Sequence, residues 1–238
     1  MSARAQDRFR LRAHATPTKA ESGGPKVRQG GRPTLEASEQ LGELILDAAT
    51  DLFLTDGFGA TSIEAVAKRV GISKRTFYHR YADKAALFAA VVHRIIERLR
   101  PAAGVPLIEG ADLDAVLERL ATFILRAALS PDAIALHRLM VSESARFPGL
   151  AETLAREGAT QEAIALIAGV LGRESTTGRI DVADPVFAAQ QFLQGVITIP
   201  RSRAMGLGPA MTKRELAAWP RKVVDLFLHG CGAKRSRR

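Results

Sequence analysis

Residues 61–84 read TSIEAVAKRVGISKRTFYHRYADK, and this stretch decides the fold. Apolar residues recur at helical spacing up to Val70, Gly71 breaks the pattern, and a second helical segment begins at Ser73. A helix, a glycine turn and a second short helix of this length are typical of a helix-turn-helix, whose second helix lies in the major groove of DNA. The stretch therefore predicts a DNA-reading unit.

The side chains of this unit divide into a packed set and an exposed set. The packed set is apolar and can bury itself against the preceding helix: Ile63, Val66, Ala67, Val70, Ile72, Phe77, Tyr81, Leu52 and Phe53. The exposed set on the second helix consists of long donors, small hydroxyls and flat rings: Ser73, Lys74, Arg75, Thr76, Tyr78, His79 and Arg80. Such side chains suit phosphates and the edges of bases.

An ordinary solvated basic face is the alternative interpretation of the second helix, since scattered charges on a helix usually face water. Two features favour contact with DNA instead. Residues 68–84 contain six Lys or Arg and one acidic residue, Asp83, whereas the chain between its two ends is nearly neutral. A tyrosine left uncovered on a solvent face would also expose apolar area to no purpose.

Helices are predicted on both sides of this stretch from local signals. Ser38 can cap a preceding helix that Gly57 ends, and Thr61–Glu64 has the spacing of a capping box for the next one. Asp83 can cap a longer helix that runs to about residue 100, where a proline forbids continuation.

The chain beyond residue 101 is rich in alanine and leucine, and turn residues divide it into further helices. The approximate predicted spans are 111–129, 131–145, 148–157, 159–173, 184–204 and 213–229. Thr212–Glu215 forms a second capping box at the start of the last span. Because aromatic residues make up only 5% of the chain and helix formers dominate, the predicted fold class is all-α.

The net charge of +9 is concentrated at the two ends of the chain. Residues 1–32 contain eight Lys or Arg and two acidic residues, and residues 233–238 contain four basic residues. We expect disordered basic tails at residues 1–30 and 231–238. A basic tail can add phosphate affinity without carrying sequence information, and a merely solvated tail is the alternative.

Several functional classes find no support in the sequence. It contains no HExxH, GxSxG, Walker or GxGxxG motif, and its five histidines show no metal-ligand spacing, so we expect no catalytic residues, metal or cofactor. The single cysteine, Cys231, has no partner for a disulfide, and a bystander near the tail is the simpler interpretation than a redox switch. With neither a signal sequence nor a run of about 20 apolar residues, we expect a cytoplasmic protein.

The run TSIEAVAKRVGISKRTFYHRYADKAALFAAV, together with ILDAATDLFLTDGFGATS at residues 45–62, resembles the DNA-binding region of the TetR (tetracycline repressor) family. HRLMVSESARFPGLAETL at residues 137–154 and DPVFAAQQFLQGV at residues 184–196 resemble the AefR-like C-terminal domain of that family. Arg75 is a departure, because many relatives carry a small residue at this position. The resemblance implies a helix-turn-helix domain at 31–82 and a larger helical effector-binding and dimerisation domain at 83–230.

Carried over by position, the resemblance implies that Lys74, Arg75 and His79 reach base edges. It implies phosphate contacts for five residues: Thr61, Ser73, Thr76, Tyr78 and Lys84. Arg80 can serve either purpose, and Arg32 in Gly31-Arg32-Pro33 resembles a minor-groove arm.

In the second module the resemblance places a dimer interface on the last two long helices, although a core within one chain explains their apolar residues almost as well. It also implies a small-molecule pocket, for which the candidate residues are Phe123, His137, Met140, Phe147 and Phe192. Apolar residues at helical spacing are more often core than pocket.

The predicted function is a homodimeric transcriptional repressor that binds a double-stranded DNA operator of palindromic sequence and releases it when a small effector binds. The alternative is an architectural DNA-binding protein that responds to no ligand and relies on its basic tails.

Overall fold

The computed structural model describes residues 35–102, 106–110, 112–156 and 158–230, and this part of the chain is helical without strands. Its helices are α1 (Leu35–Asp56), α2 (Ile63–Val70), α3 (Lys74–Tyr78), α4 (Lys84–Leu99), α5 (Leu113–Ala128), α6 (Pro131–Glu143), α7 (Pro148–Arg156), α8 (Ala159–Thr176), α9 (Pro185–Ala204) and α10 (Lys213–His229). The all-α prediction is confirmed. Arg32 and Cys231 lie outside the described residues.

Most helix ends follow the local signals of the sequence. The Asp83 carboxylate accepts a hydrogen bond from the Ala86 amide at the start of α4, and both bonds of the Thr212–Glu215 capping box form at the start of α10. Two predicted caps are wrong. Ser38 lies inside α1, which begins at Leu35, and α2 is capped by Ser62, whose Oγ accepts from the Ala65 amide.

A first hydrophobic core joins the head of the molecule, which consists of α1 to α3, to part of its body, which consists of α4 to α10. Phe53, Phe58 and Phe88 contact one another with ring centroids 5.4–5.6 Å apart, and Phe147 from the turn before α7 reaches Phe58 at 5.1 Å. Buried residues of α1 to α4 and of α6 and α7 complete this cluster. The helix-turn-helix therefore shares one core with α4, α6 and α7.

A second core is built from α5, α8, α9 and α10. Phe192 meets Phe227 edge to face at 5.0 Å, and the Trp219 indole donates to the Val196 carbonyl at 3.0 Å. Ala189, Phe192, Leu193, Val196 and Val224 are buried here within one chain. These residues of the last two helices thus belong to the core of the chain itself.

No single helix in the described ranges is long and apolar enough to cross a lipid bilayer. The pair α5 and α6 reaches that length and hydropathy only when taken together across a bend of 66°.

Replacing Phe58 by alanine should lower the free energy of unfolding by about 3–5 kcal/mol, because the ring is buried and its removal leaves a cavity among Phe53, Phe88 and Phe147. Urea denaturation followed by circular dichroism measures this change. Leu44→Ala on the exposed side of α1 is the control, with an expected change within about 0.5 kcal/mol. Equal changes in the free energy of unfolding for the two variants would show that the aromatic cluster stabilises the fold no more than an exposed leucine does.

Candidate nucleic-acid interface

The turn between α2 and α3 is fixed by a left-handed glycine. Gly71 has φ +78°, and its amide and that of Ile72 donate to carbonyls in the last turn of α2, with Ile72 N to Ala67 O at 2.9 Å. A side chain at this φ would be strained, so glycine is the suitable residue for the turn. Phe77, which is fully buried, then anchors α3 to the core.

Burial of Phe77 leaves one face of α3 in solvent. Arg75 lies one turn before Tyr78 and His79 on the exposed side, and Tyr78 is 51% exposed with its ring edge-on to Phe77. In the described part of the chain, the side chains of Arg75 and His79 have no hydrogen-bond or ion-pair partner, although the His79 amide donates to the Arg75 carbonyl at 3.1 Å. These two side chains can therefore meet an external polar surface without breaking side-chain bonds, beside the exposed ring of Tyr78.

Ser73 and Thr76 shape the start of the same helix. The Ser73 Oγ accepts from the Thr76 amide at 3.1 Å, and the two hydroxyls are 2.9 Å apart. Both residues remain at least partly exposed, so their hydroxyls can also face a phosphate.

Lys74 is held by an ion pair with Glu64 of α2. The hydrogen bond from Lys74 lowers the pKa of the Glu64 carboxyl, and the same bond raises the pKa of the Lys74 ammonium. Both side chains are exposed, so the pair is open to water. Lys74 must leave Glu64 before it can reach a base.

Arg80, by contrast, turns back onto α1. Its guanidinium donates to the backbone oxygen of Ser38 and, at 2.7 Å, to the Ser38 Oγ. Gly42 leaves the space for this contact, since a Cβ at that position would collide with the Arg80 guanidinium. The structure therefore gives Arg80 a role in joining α3 to α1.

Lys84 also has partners inside the protein, while its phosphate contact stays a prediction. Its ammonium donates to the Phe58 carbonyl at 2.9 Å, to that of Thr61 at 3.0 Å and more weakly to that of Gly59 at 3.4 Å. The ammonium also lies 4.5 Å from the centre of the Phe58 ring. Its three donors are directed to the connection between α1 and α2, so Lys84 supports that connection.

Thr61 is buried, and its phosphate contact likewise stays a prediction. The hydroxyl donates to the Gly57 carbonyl at 2.8 Å, and this bond links the two ends of the connection between α1 and α2. The exposed hydroxyl at this end of α2 belongs to Ser62.

The five candidate ligand residues do not lie together. Met140 and Phe147 belong to the first core, and Phe192 belongs to the second. His137 lies partly buried near Arg201, where burial and then the arginine charge lower the pKa of its imidazole. Phe123 alone lines the open cleft between the end of α4 and one face of α5.

One grouping of potential metal ligands was not predicted. Asp114, Asp225 and His229 bring their ligand atoms within 4.8 Å of one another. His229 lies 3.7 Å from Asp114, and Asp225 faces Arg221 at 3.9 Å. Asp114 and Asp225 are 111 positions apart along the chain, so local spacing in the sequence could not reveal the group. Its mostly exposed side chains already pair with one another and with Arg221.

Comparison with known proteins decides the family. Residues 45–91 match the model of bacterial regulatory proteins of the tetR family, and residues 115–232 match the C-terminal domain of AefR-like transcriptional repressors. The chain belongs to the TetR family. It is a helix-turn-helix, DNA-binding transcriptional regulator, and the resemblance inferred from the sequence is confirmed for both domains.

Solved structures of TetR-family proteins agree over most of the chain. The flavonoid-responsive regulator FrrA is 30% identical, with 83% of this chain and 100% of that chain covered and a TM-score of 0.68. A TetR-family transcriptional regulator of Mesorhizobium loti is 27% identical, with 81% and 96% covered and a TM-score of 0.67.

A curated relative matches a shorter segment. The transcriptional activator FasR of Mycolicibacterium smegmatis is 33% identical over 83 residues, which are 34% of this chain and 37% of FasR. The match therefore spans little more than a third of FasR. FasR and FrrA are both described as regulators.

Lys84→Met should lower the free energy of unfolding by about 1–3 kcal/mol, since partly buried carbonyls lose their charged donor. Chemical denaturation without DNA measures the effect, and Lys68→Met on the exposed side of α2 is the matched control, expected within about 0.5 kcal/mol. Unchanged stability combined with weaker DNA binding would support the phosphate role of Lys84.

Proposed function

We propose that this TetR-family protein is a homodimeric repressor that binds a palindromic operator and releases it when a small ligand occupies its helical body. The observation that carries the proposal is the unpaired face of α3, where Arg75, Tyr78 and His79 stand together on a helix anchored by buried Phe77. Because the helix is short and firmly packed, this face is preorganised for a groove.

The chemistry of each side chain suggests its role at the groove. Arg75 can donate two hydrogen bonds to guanine O6 and N7, and His79 can reach a base edge one turn away. Tyr78, Ser73 and Thr76 are placed to donate hydroxyls to phosphates at the rim. Lys74 adds a further contact once its exposed pair with Glu64 opens.

Dimerisation is proposed because a single helix-turn-helix reads few base pairs, whereas two heads related by a dyad read two half-sites about 34 Å apart or a multiple of it. The last two helices leave large apolar side chains uncovered in the monomer: Val186, Phe187, Ile199 and Leu226 are 47–57% exposed. Burying them in a four-helix bundle with a second copy would remove this apolar area from water.

Helix α4 offers a direct route from body to head. At its start, Lys84 holds the connection between α1 and α2, and α3 ends only a few residues before it. Near its end, Arg94 and Arg98 face Asp47 of α1 at 2.8 and 3.7 Å. A ligand that displaces the end of α4 therefore shifts both contacts and changes the distance between two heads.

Activation is the second candidate for the direction of regulation, because the relative FasR is described as a transcriptional activator. A reporter gene placed behind the operator separates the two directions: deletion of the regulator raises expression if it represses and lowers expression if it activates.

Arg75→Ala should reduce discrimination between the operator and single-base variants by about 1–3 kcal/mol at one or two positions. Tyr78→Ala should instead weaken binding to all sequences. Fluorescence anisotropy at fixed salt measures both, and Arg173→Ala on α8 is the control.

The same titrations, together with footprinting of the bound DNA, test the architectural alternative. Uniform coverage of random DNA, with no protected palindrome and no loss of discrimination in Arg75→Ala, would support sequence-independent binding through basic tails and overturn the proposal.

Phe187→Glu combined with Leu226→Glu should convert the dimer into a monomer at micromolar concentration, because two carboxylates would replace apolar side chains at the interface. Sedimentation equilibrium gives the mass. Val141→Glu, which changes an apolar residue of α6 that is 67% exposed, should leave the dimer intact. A monomeric wild-type protein, or a dimer that survives the double substitution, contradicts the proposed interface.

A further inference from the structure

A cleft of about 860 Å³ lies between the end of α4 and one face of α5. The wall from α5 contains residues at helical spacing from Ala115 to Ala127, and α4 contributes its last turn. The cleft is open to solvent on one side, and the volume is in the range of pockets that hold small organic molecules.

The lining of the cleft is both basic and apolar. Its four cations are Arg98, Arg100, Arg119 and Arg126, against one carboxylate, Glu118. The rest of the lining is mainly apolar: Leu99, Pro106, Leu107, Ala115, Phe123 and Ala127, with the hydroxyl of Thr122. In a chain whose charge is nearly balanced outside its ends, this is a local excess of positive charge.

The internal partners of these arginines leave two of them without a carboxylate. Arg98 faces Asp47, and Arg100 pairs with Glu97 and, at 2.7 Å, with Glu162. In the described ranges the Arg126 side chain has no hydrogen-bond or ion-pair partner.

Arg119 is the second arginine of the cleft without a carboxylate partner in the described ranges. Among the residues that the structure describes, its side chain donates only to the Glu109 carbonyl, and its buried Nε has no hydrogen-bond partner. Glu118 does not neutralise it, because that carboxylate faces Arg221 at 3.8 Å.

An unpaired buried donor is uncommon in a folded protein and calls for an acceptor. Arg119 and Arg126 are seven residues apart on α5, about 10 Å along the helix axis, with Thr122 and Phe123 between them on the same face. An acceptor bound here would thus lie beside an aromatic ring and aliphatic side chains.

We propose that this cleft binds an amphipathic organic carboxylate, whose anionic group pairs with Arg119 or Arg126 and whose apolar part lies against Phe123 and Leu107. The guanidinium fork matches the two oxygens of a carboxylate, and the apolar wall excludes simple inorganic anions as the best ligands. The inference rests on the proposed ligand response and specifies the chemical class of the ligand.

Such a ligand also meets the end of α4. Arg98 and Arg100 belong to the same lining and hold Asp47 of α1 and Glu162 of α8. An incoming carboxylate competes with these partners, so occupancy of the cleft changes how α4 is fixed to both neighbours.

Isothermal titration calorimetry on the full-length chain tests the site with two probes, octanoate and 4-phenylbutyrate. Each is compared with its primary amide, which keeps the shape and lacks the charge, and inorganic phosphate serves as an anion without an apolar part. We expect saturable binding of a carboxylate with Kd below about 0.5 mM, and binding at least tenfold weaker for its amide and for phosphate. Arg126→Gln, an exposed substitution, and Arg119→Gln should each weaken carboxylate binding about tenfold, whereas Arg173→Gln on α8 should not.

The proposal is overturned if neither carboxylate binds, if an amide or phosphate binds equally well, or if Arg173→Gln matches the effect of the cleft variants. Operator binding without a probe is measured on the same samples. A protein that binds its operator and ignores carboxylates refutes the cleft and leaves the DNA-binding proposal standing; failure to bind any operator refutes the latter alone.

Discussion

The arrangement of the first three helices depends on the connection between α1 and α2, which side chains from α4 and α6 hold in place. There the Lys84 ammonium donates to the carbonyls of Phe58 and Thr61, while the Glu143 carboxylate of α6 accepts from the Gly59 amide at 2.7 Å. A Cβ at Gly57 or Gly59 would lie 2.7 or 3.2 Å from a Glu143 carboxylate oxygen, so these glycines leave room for the Glu143 side chain in its present position. One cation and one anion from different parts of the chain thus satisfy the backbone of a short connection.

This junction connects the helix-turn-helix to the rest of the chain through packed aromatic side chains. Phe58 carries the connection into a cluster with Phe53, Phe88 and Phe147, which belongs to head and body together. Since α4 begins at the junction and ends at the basic cleft, one helix links the two regions proposed to bind DNA and ligand. Head and body can therefore change together without a long chain of intermediates.

The sequence predicted those helix ends and exposed positions that depend on residues close together along the chain. Helix ends followed from Asp83, Gly71 and Thr212–Glu215, because capping bonds and left-handed glycines act within four residues. The exposed face of α3 was also predictable, since burial of Phe77 places Arg75, Tyr78 and His79 outward by helical periodicity. The family resemblance added the second module.

The sequence did not predict bonds between side chains and partners that are distant along the chain. Lys84 bonds to carbonyls 23 and 26 residues earlier, and Arg80 reaches Ser38, 42 residues away. No spacing rule anticipates such bonds, and the resemblance suggested only DNA contacts for Lys84. The proposed ligand residues were chosen for apolar character, which also describes core, whereas the arginines of the cleft became visible only once α4 and α5 were placed side by side.

Amide hydrogen exchange in the wild-type protein and in Glu143→Gln tests the role of the junction most directly. If Glu143 fixes the connection and the connection fixes the head, the substitution should speed exchange at Gly59 and also at the amides of Phe77, Arg80 and Tyr81, which are hydrogen-bonded around α3. Faster exchange at Gly59 alone, with the amides around α3 unchanged, would contradict the account.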